Sequence, residues 1–284
     1  MRKKIRVDCH THWVQPRHFT PEAAKSWTVG KEVSPWPETT QADYEHALQN
    51  WDASIVFGIS APQGGVHVPN EEVASFVAES PGTRIGFMAI DPAAQGALEE
   101  VKRGYHELGL RGIKLYPVLA GFEASDPALG PFYALAEQLG LPILWHMGAT
   151  PVSTGRLRLS HPLLLDDVAV EFPRLRMVIA HLGHPWQRDA ALVVRKNPHV
   201  YADISGLWFR PVQGYEALII AEEWGITDKL LFGSDYPLWT PDDAVQSLRD
   251  LGSRAGVTGQ SRFDDEYFGH MFDRDTLTLL GLDG

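Results

Sequence analysis

The feature that most constrains the fold is a regular alternation of two kinds of segment along the chain. Apolar segments with strand character alternate with segments whose apolar residues recur at helical spacing. The strand-like segments are IRVDCH, ASIVFGIS, RIGFMAI, RGIKLY, PILWHM, LRMVIAH, HVYADIS and KLLFGSD. Eight such units within 284 residues predict an α/β fold, a (β/α)8 TIM barrel that forms one domain over residues 1–284.

The segments between the strands carry the end signals of helices, because several finish in Gly or run into Pro, as in HELGLRG and AEQLGLP. The predicted helices cover residues 41–51, 70–79, 95–108, 131–139, 162–171, 187–196, 212–224 and 241–251. The tail, residues 261–282, predicts one or two further helices that cap the barrel. This order of elements is the one that a barrel with an outer ring of helices requires.

The connection after the first strand, residues 14–40, is unusually long and contains both Trp27 and Trp36. Long irregular loops in compact domains frequently serve as lids over functional sites. The alternative is a surface segment whose Trp side chains are buried beneath it. The sequence leaves both interpretations open.

Charge and cysteine content restrict the partners and the compartment. The chain has 25 Lys and Arg residues against 36 Asp and Glu, and its formal charge of -11 would repel nucleic acid in the absence of a basic cluster. The single Cys, Cys9, cannot form an internal disulfide, and MRKKIRVDCH lacks the apolar core of a signal peptide. No apolar run approaches the ~18 residues of a membrane span. We therefore expect a cytoplasmic protein with no nucleic-acid or membrane partner.

The first strand ends in a pattern typical of metal sites. In VDCHTHW, Asp8, His10 and His12 occupy alternate positions, so they are expected to share one face of the strand, with Val7 and Cys9 on the other. Two imidazoles on one face provide part of a metal site. Firm binding needs ligands from other parts of the chain.

Three later strands also end in residues that bind metals or transfer protons. In a barrel of this kind the functional groups lie at the C-terminal ends of the strands, and there the chain has His146, His181 and Asp235 as well as His10 and His12. Each residue taken alone is compatible with a buried His or a capping Asp held by hydrogen bonds. Together they predict a metal centre at one mouth of the barrel.

The motifs DCHTH, WHMG, AHLGHPW and FGSDYP, taken together, resemble those of the amidohydrolase superfamily, and within it those of the amidohydrolase-2 branch. That branch includes aminocarboxymuconate-semialdehyde decarboxylase and other TIM-barrel metal-dependent enzymes. The resemblance implies one divalent metal ion, zinc in the first place with Mn or Fe also compatible, held by His10, His12, His146 and Asp235. It also implies that His181 stands beside the metal as a catalytic acid or base.

Lys114, in RGIKLYP at the end of the fourth strand, bears on the number of metals. Binuclear members of the superfamily carry a carboxylated Lys there that bridges two ions, with the His of the sixth strand as a further ligand. A Lys in GIKL also occurs in the branch that this chain resembles without that role. We expect one metal, with Lys114 lining the substrate pocket, Asp8 orienting a ligand, and His184, His161 and His199 outside the ligand set.

Aromatic residues follow the strand ends and predict a large apolar mouth for a small planar or aromatic acyl substrate. They are Trp13, Tyr116, Trp186, Trp208, Tyr236 and Trp239, and each one taken alone is also compatible with packing beneath a loop. Arg210, in SGLWFRP, is a candidate to bind a substrate carboxylate, and Arg156 and Arg158 are alternatives. Each of these arginines is also compatible with an exposed ion pair.

Two reactions fit this set of residues. The first is hydrolysis of an acyl, lactone or C–C substrate by metal-activated water, with Asp235 and His181 transferring the proton. The second is non-oxidative decarboxylation of an aromatic or muconate-type acid. Hydrolysis is favoured slightly, because no convincing pair of arginines is present to hold a carboxylate.

Two further interpretations rank lower. A non-catalytic metal-binding barrel would leave His181 without a role. A phosphate-handling isomerase would need glycine-bearing loops where DISGLW and GSDYPLW place bulky aromatic residues. The oligomeric state is open, with a homodimer as one option.

Overall fold

The computed structural model describes residues 5–27, 36–253 and 263–283. Eight strands form one sheet in which each strand hydrogen bonds in parallel to the next along the chain. These strands are β1 (Val7–His12), β2 (Ala53–Phe57), β3 (Arg84–Ala89), β4 (Gly112–Leu115), β5 (Ile143–Trp145), β6 (Met177–Ile179), β7 (Val200–Asp203) and β8 (Leu230–Leu231). The predicted (β/α)8 barrel is therefore confirmed.

Backbone hydrogen bonds between the first strand and the segment after the last strand close the barrel. The Cys9 N–H donates to the Phe232 carbonyl at 2.9 Å, and the Asp235 N–H donates to the His10 carbonyl, also at 2.9 Å. Because these bonds continue to the C-terminal ends of the strands, they bring β1 and the segment after β8 together at the mouth of the barrel.

The eight predicted helices are confirmed, with ends that shift by at most four residues. The largest shift occurs at the predicted helix 41–51, because the backbone at Leu48 leaves the helical region with φ -99° and ψ 9°. A short antiparallel strand pair, Ser60–Ala61 with Val66–His67, was not expected from the sequence. The helices are α1 (Pro21–Trp27), α2 (Gln41–Ala47), α3 (Asn70–Ala78), α4 (Ala97–His106), α5 (Pro117–Ala120), α6 (Gly130–Leu139), α7 (Leu164–Glu171), α8 (Gln187–Lys196), α9 (Pro211–Glu223), α10 (Pro241–Gly252), α11 (Asp265–Phe272) and α12 (Thr276–Leu280).

The interior of the barrel corrects one expectation about the first strand. Val7 and Cys9 belong to the apolar cluster that fills the barrel, together with Phe57, Phe87 and other side chains from most of the strands. The pairing of β1 with β2 shifts register between Asp8 and Thr11. A bulge of this kind breaks the simple alternation of faces, so Asp8, His10 and His12 do not form one uninterrupted row.

The C-terminal helices cap the barrel, and they do so at the end opposite to the predicted site. Leu280 and Leu277 of α12 pack against the interior cluster beside Val7, the first residue of β1. Burial of these apolar side chains seals the N-terminal ends of the strands. Of the predicted tail, residues 261–262 lie outside the described residues.

The long connection after β1 is only partly described, because residues 28–35 within it lie outside the described ranges. Its described part holds the helix α1, and Trp27 and Trp36 on either side of the gap are both buried. Among residues 5–27, 36–253 and 263–283, no helix has the length and apolar composition that crossing a membrane requires.

Gly233, just after β8, permits the close approach of the last strand to the first. A Cβ atom on Gly233 would lie 2.6 Å from the Cβ of His10, whereas a Cβ on Gly269 in α11 would meet no atom within 4 Å. We predict that Gly233→Ala lowers the free energy of unfolding by about 1–3 kcal/mol, because the crowded strands must shift. Gly269→Ala, the matched control, should raise it by about 0.5–1 kcal/mol through helix propensity. Urea unfolding of both variants is the measurement, and an equal effect of the two substitutions would contradict the prediction.

Candidate metal centre

Three side-chain atoms from β1 and from the segment after β8 converge at the C-terminal mouth of the barrel. His10 Nε2 lies 3.2 Å from His12 Nε2, and Asp235 Oδ1 lies 3.3 Å from the first and 3.1 Å from the second. Ligands at bond lengths of about 2.0–2.1 Å around a tetrahedral ion are spaced by roughly 3.3–3.4 Å. The three atoms therefore have nearly the spacing that a divalent metal ion requires.

The electrostatics of the three residues also fit a bound cation. Burial lowers the pKa of His12 to about 3, although the hydrogen bond and charge of Asp235 act in the opposite direction. Burial raises the pKa of Asp235, but the His10 and His12 side chains outweigh that effect and hold it well below its usual range. At neutral pH an ionised carboxylate thus faces a neutral imidazole in a buried site, and a positive ion satisfies both.

Asp203, at the end of β7, fixes the orientation of His10. Its Oδ2 lies 2.8 Å from His10 Nδ1, and because a carboxylate accepts, the imidazole hydrogen is on Nδ1. Nε2 is then directed to the metal position, the arrangement that metal-binding His residues usually have. The sequence analysis missed Asp203, although HVYADIS places it at a strand end by the same rule that located the other ligands.

Asp8 does not orient a metal-ligand ring, which was the role expected from the sequence. Its Oδ1 accepts hydrogen bonds from the backbone N–H of His10 at 3.1 Å and of Ser234 at 3.0 Å, so it fixes the backbone rather than an imidazole ring. Burial raises the pKa of Asp8 to about 7. The carboxylate that orients a ligand ring is Asp203.

His181 lies beside this cluster in an unusual backbone conformation. Its φ is 56°, in the left-handed region, and its backbone N–H donates to Asp203 Oδ1 at 3.0 Å. Its Nδ1 lies 3.1 Å from the Ser205 carbonyl oxygen, which can only accept, so the hydrogen is on Nδ1. In the neutral ring Nε2 then keeps its lone pair, and burial lowers the pKa of His181. This is the protonation state of a general base.

His146, the predicted fourth ligand, lies at the same mouth but is turned aside. Its ring stacks on Tyr116 with 3.9 Å between the ring centroids, and its Nε2 lies 3.2 Å from the Ala149 carbonyl oxygen. Among the described residues, two groups of three have metal-binding atoms that all lie within 4.8 Å of one another. One group is His10, His12 and Asp235, the other is His10, His181 and Asp203, and His146 belongs to neither. A metal-binding role of His146 stays a prediction.

A cavity of about 250 Å³ opens above the candidate metal ligands. Its walls are mainly apolar and include Trp27, Trp36, Ile59, Phe209, Leu238 and Trp239. The polar groups in its lining include His184, Ser205 and Arg210 in addition to the metal-binding side chains. Trp27 and Trp36, from the described parts of the long connection after β1, are buried and also line this cavity, and a lid role of the connection stays a prediction.

Of the residues predicted to bind substrate or to form the mouth, three line the cavity, namely Tyr116, Arg210 and Trp239. The other aromatic residues pack elsewhere in the described structure, Trp13 on Phe76 at 3.8 Å between ring centroids and Tyr236 against Tyr44 at 5.3 Å. In the same way Trp186 contacts His161 at 5.1 Å, and Trp208 contacts Trp239 at 5.6 Å. Trp208 thereby supports a wall residue from behind.

Three further candidates, Arg156, Arg158 and His161, do not line the cavity. Arg156 and Arg158 are exposed, and Arg158 lies 3.5 Å from Glu123. His161 lies 3.3 Å from Asp189. His184 does line the cavity, where its Nδ1 is 2.8 Å from Gln187 Nε2.

Lys114 is buried in the barrel beneath the site. Its Nζ lies 4.8 Å from the ring centroid of Phe57 and 5.6 Å from that of Tyr116 and has no hydrogen-bond partner among the described residues. Burial lowers the pKa of Lys114 to about 8, although Asp203 and Asp235 act to raise it. The ammonium group is thus held by aromatic faces and by charges at longer range.

The sequence of the chain is similar to those of known proteins. A family model described as amidohydrolase matches residues 7–258. A 2-amino-3-carboxymuconate-6-semialdehyde decarboxylase from Dictyostelium discoideum is 30% identical over 238 residues, which cover 69% of this chain. The chain spans 65% of that relative, slightly less than two thirds of its length.

Solved structures share the fold at low sequence identity. An uncharacterised TIM-barrel protein from Bordetella bronchiseptica superposes with a TM-score of 0.74 at 19% identity, covering 98% of both chains. A dihydroxybenzoic acid decarboxylase from a Polaromonas species, with bound manganese, has a TM-score of 0.68 at 18% identity over 100% of this chain and 98% of its own. A proposed 2-pyrone-4,6-dicarboxylic acid hydrolase from Pseudomonas putida has a TM-score of 0.66 at 16% identity over 99% of each.

The metal site itself can be tested by metal content. We predict that the chain, dialysed against zinc and then against buffer, retains about one equivalent, and that His12→Ala and Asp235→Asn lose most of it because each removes a converging ligand. His106→Ala, on the exposed surface of α4, is the control. Elemental analysis per folded chain is the measurement. Two equivalents would instead indicate a binuclear centre that includes Lys114 and His181.

The burial of Lys114 predicts a pH-dependent stability. Because the folded-state pKa is about 8 against an ordinary value of 10.5, burying the ammonium costs about 3 kcal/mol below pH 8, and this cost disappears as pH rises towards 10.5. Metal-free Lys114→Met should therefore be more stable than the native chain at pH 7, and the difference should shrink with rising pH. Lys102→Met, at an exposed position, controls for the loss of a lysine. The measurement is denaturant unfolding of each variant at several pH values. If the difference in stability between Lys114→Met and the native chain stayed constant as pH rose, the assignment would be refuted.

Proposed function

The chain belongs to the amidohydrolase family, in its amidohydrolase-2 branch, and on this basis we propose that it removes carbon dioxide from a small planar carboxylic acid in a metal-dependent reaction. Members of the family are enzymes of two kinds, decarboxylases and hydrolases. The observation that carries the proposal is the convergence of His10, His12 and Asp235 beside His181 at the base of an apolar cavity. The decarboxylase among the curated relatives supports this choice over the hydrolysis favoured by the sequence motifs.

The donor set suits zinc, manganese or iron, and we propose zinc, with His146 completing the ligand set after rotation of its ring. When bound, the ion would supply positive charge that stabilises negative charge developing on a substrate oxygen. The rest of the chemistry falls to side chains of the chain itself.

The cavity walls and Arg210 bind and orient the acid. Trp27, Trp36 and Trp239 provide flat apolar surfaces that suit a planar ring and exclude water. Arg210 is the arginine among the described lining residues, and its guanidinium at the rim can pair with a carboxylate of the substrate. A carboxylate that leaves as neutral carbon dioxide is favoured by surroundings of low polarity.

His181 manages the proton. Loss of carbon dioxide breaks a C–C bond and leaves its electron pair on the substrate carbon, which must then accept a proton. His181 lines the cavity and its Nδ1 is held by Ser205, so Nε2 is the ring nitrogen that can take up a proton from solvent or from a substrate hydroxyl and deliver it to that carbon.

Hydrolysis is the second candidate, because Asp235 and His181 both stand as unprotonated bases at neutral pH. The pKa of each is lowered, and a base is what the activation of water requires. The same ligands would serve both reactions, so the two candidates differ in product and not in the residues of the metal site.

The two reactions are separated by their products. With zinc or manganese added, we predict carbon dioxide release from dihydroxybenzoates or a carboxymuconate-type acid in proportion to the acid consumed. His181→Ala should lower kcat by about 10²- to 10⁴-fold, since it removes proton transfer. Arg210→Ala should raise KM by about tenfold or more, since it removes a charged hydrogen bond.

Arg156→Ala, outside the cavity, is the matched control for Arg210 and should leave both constants unchanged. If ¹⁸O from water were incorporated into a ring-opened pyrone or lactone and no carbon dioxide were released, the reaction would be hydrolysis and the proposed decarboxylation would be wrong. A metal-loaded chain that converts neither class of substrate would refute both.

A further inference from the structure

A single buried carboxylate connects the metal-binding residues to His181. Asp203 is fully buried, and its two oxygens face different partners. Oδ2 accepts from the ring of the metal ligand His10 at 2.8 Å, whereas Oδ1 accepts from the backbone N–H of His181 at 3.0 Å. No residue with this double contact was expected from the sequence.

Ser205 extends the contact from Asp203 to the ring of His181. The Ser205 hydroxyl hydrogen bonds to Asp203 Oδ1, and its Oγ lies 2.8 Å from His181 Nδ1. Since Nδ1 carries a hydrogen, the hydroxyl accepts from His181 and donates to Asp203. The resulting chain of hydrogen bonds runs from His181 through Ser205 and Asp203 to His10.

The Asp203 carboxylate accepts hydrogen bonds from the His10 ring, from the backbone N–H of His181 and from the Ser205 hydroxyl. Ser205 also donates its backbone N–H to Asp203 Oδ1 at 3.1 Å. A buried carboxylate with this many donors is a rigid point of attachment.

We propose that Asp203 and Ser205 form a positioning pair that holds the metal ligand His10 and the proton-transferring His181 at a fixed separation. The roles given to His10 and His181 rest on the proposed function. The ring centroids of the two imidazoles lie 4.9 Å apart, so a substrate atom held at the metal lies within reach of His181. The pair acts through these two residues and not by contact with substrate.

The left-handed backbone at His181 gives the pair a second task. His181 and Leu182 have φ values of 56° and 46°, in a region of backbone conformation that residues other than Gly seldom occupy. Asp203 accepts the N–H of His181 and thereby supports this conformation. The direction in which the imidazole leaves the strand is thus also fixed by Asp203.

Metal affinity tests the half of the pair that faces His10. In calorimetric titration with zinc, Asp203→Asn should weaken binding by about 10- to 100-fold, because His10 loses its orienting carboxylate. Ser205→Ala removes a longer contact of its Oγ with His10 Nδ1, at 3.3 Å, but leaves the 2.8 Å contact of His10 with Asp203 in place, so it should change the affinity by no more than about threefold. Ser54→Ala is the control, since Ser54 is equally buried and its hydrogen bond from Tyr44 lies outside the site. An unchanged affinity of Asp203→Asn would overturn this half.

A double-mutant cycle tests the half that faces His181. Ser205→Ala should lower kcat by about 10- to 100-fold with KM nearly constant, and it should have no further effect in the His181→Ala background. Ser205 also lines the cavity, and direct binding of substrate by its hydroxyl would instead raise KM and persist in that background. Either a raised KM or an additive loss of kcat would overturn the proposal.

A third measurement needs no substrate. In the zinc-loaded protein labelled with ¹⁵N-histidine, Ser205→Ala should shift the imidazole resonances of His181 and leave those of His12 in place, and unshifted His181 resonances would count against the pair. If no acid or lactone is converted, the proposed function fails while the titration and the spectra still test the pair. If Asp203→Asn does not fold, the two Ser205 measurements decide.

Discussion

The hydrogen bonds that join the first strand to the segment after the last one are the constraint on which the metal centre depends. Asp235 donates its N–H to His10, and His12 donates its N–H to the Tyr236 carbonyl at 2.8 Å. Because the backbones are bonded at the same residues whose side chains are the candidate metal ligands, barrel closure sets the spacing of the donor atoms. A shift of one of these side chains by its backbone would therefore also disturb the hydrogen bonds between β1 and the segment after β8.

The architecture and the location of the site could be predicted from the sequence because both follow from repetition. Parallel strands place their C-terminal ends at one mouth, so a polar residue after an apolar strand has a known position. That reasoning located His10, His12, His181 and Asp235 at one mouth. Applied to every strand, it would also have located Asp203.

Details that depend on local backbone geometry could not be predicted in this way. The register shift in β1 reverses the expected faces of its first residues, and nothing in VDCHTH indicates it. The left-handed conformation of His181 depends on a hydrogen bond to a residue 22 positions later in the chain. Likewise, the position after a strand end does not say whether Trp13 or Trp186 turns toward the mouth or packs outside it, because the loops decide.

The separation of the candidate metal ligands along the chain has a consequence for how the protein matures. His12 and Asp235 are 223 positions apart, so a metal ion could not be held by both until nearly the whole chain has been synthesised. Contacts of such long range form late, because the loop they close is costly in entropy. Loading with metal would then mark completion of the barrel, and a chain truncated before β8 would leave the ribosome without the capacity to bind the ion.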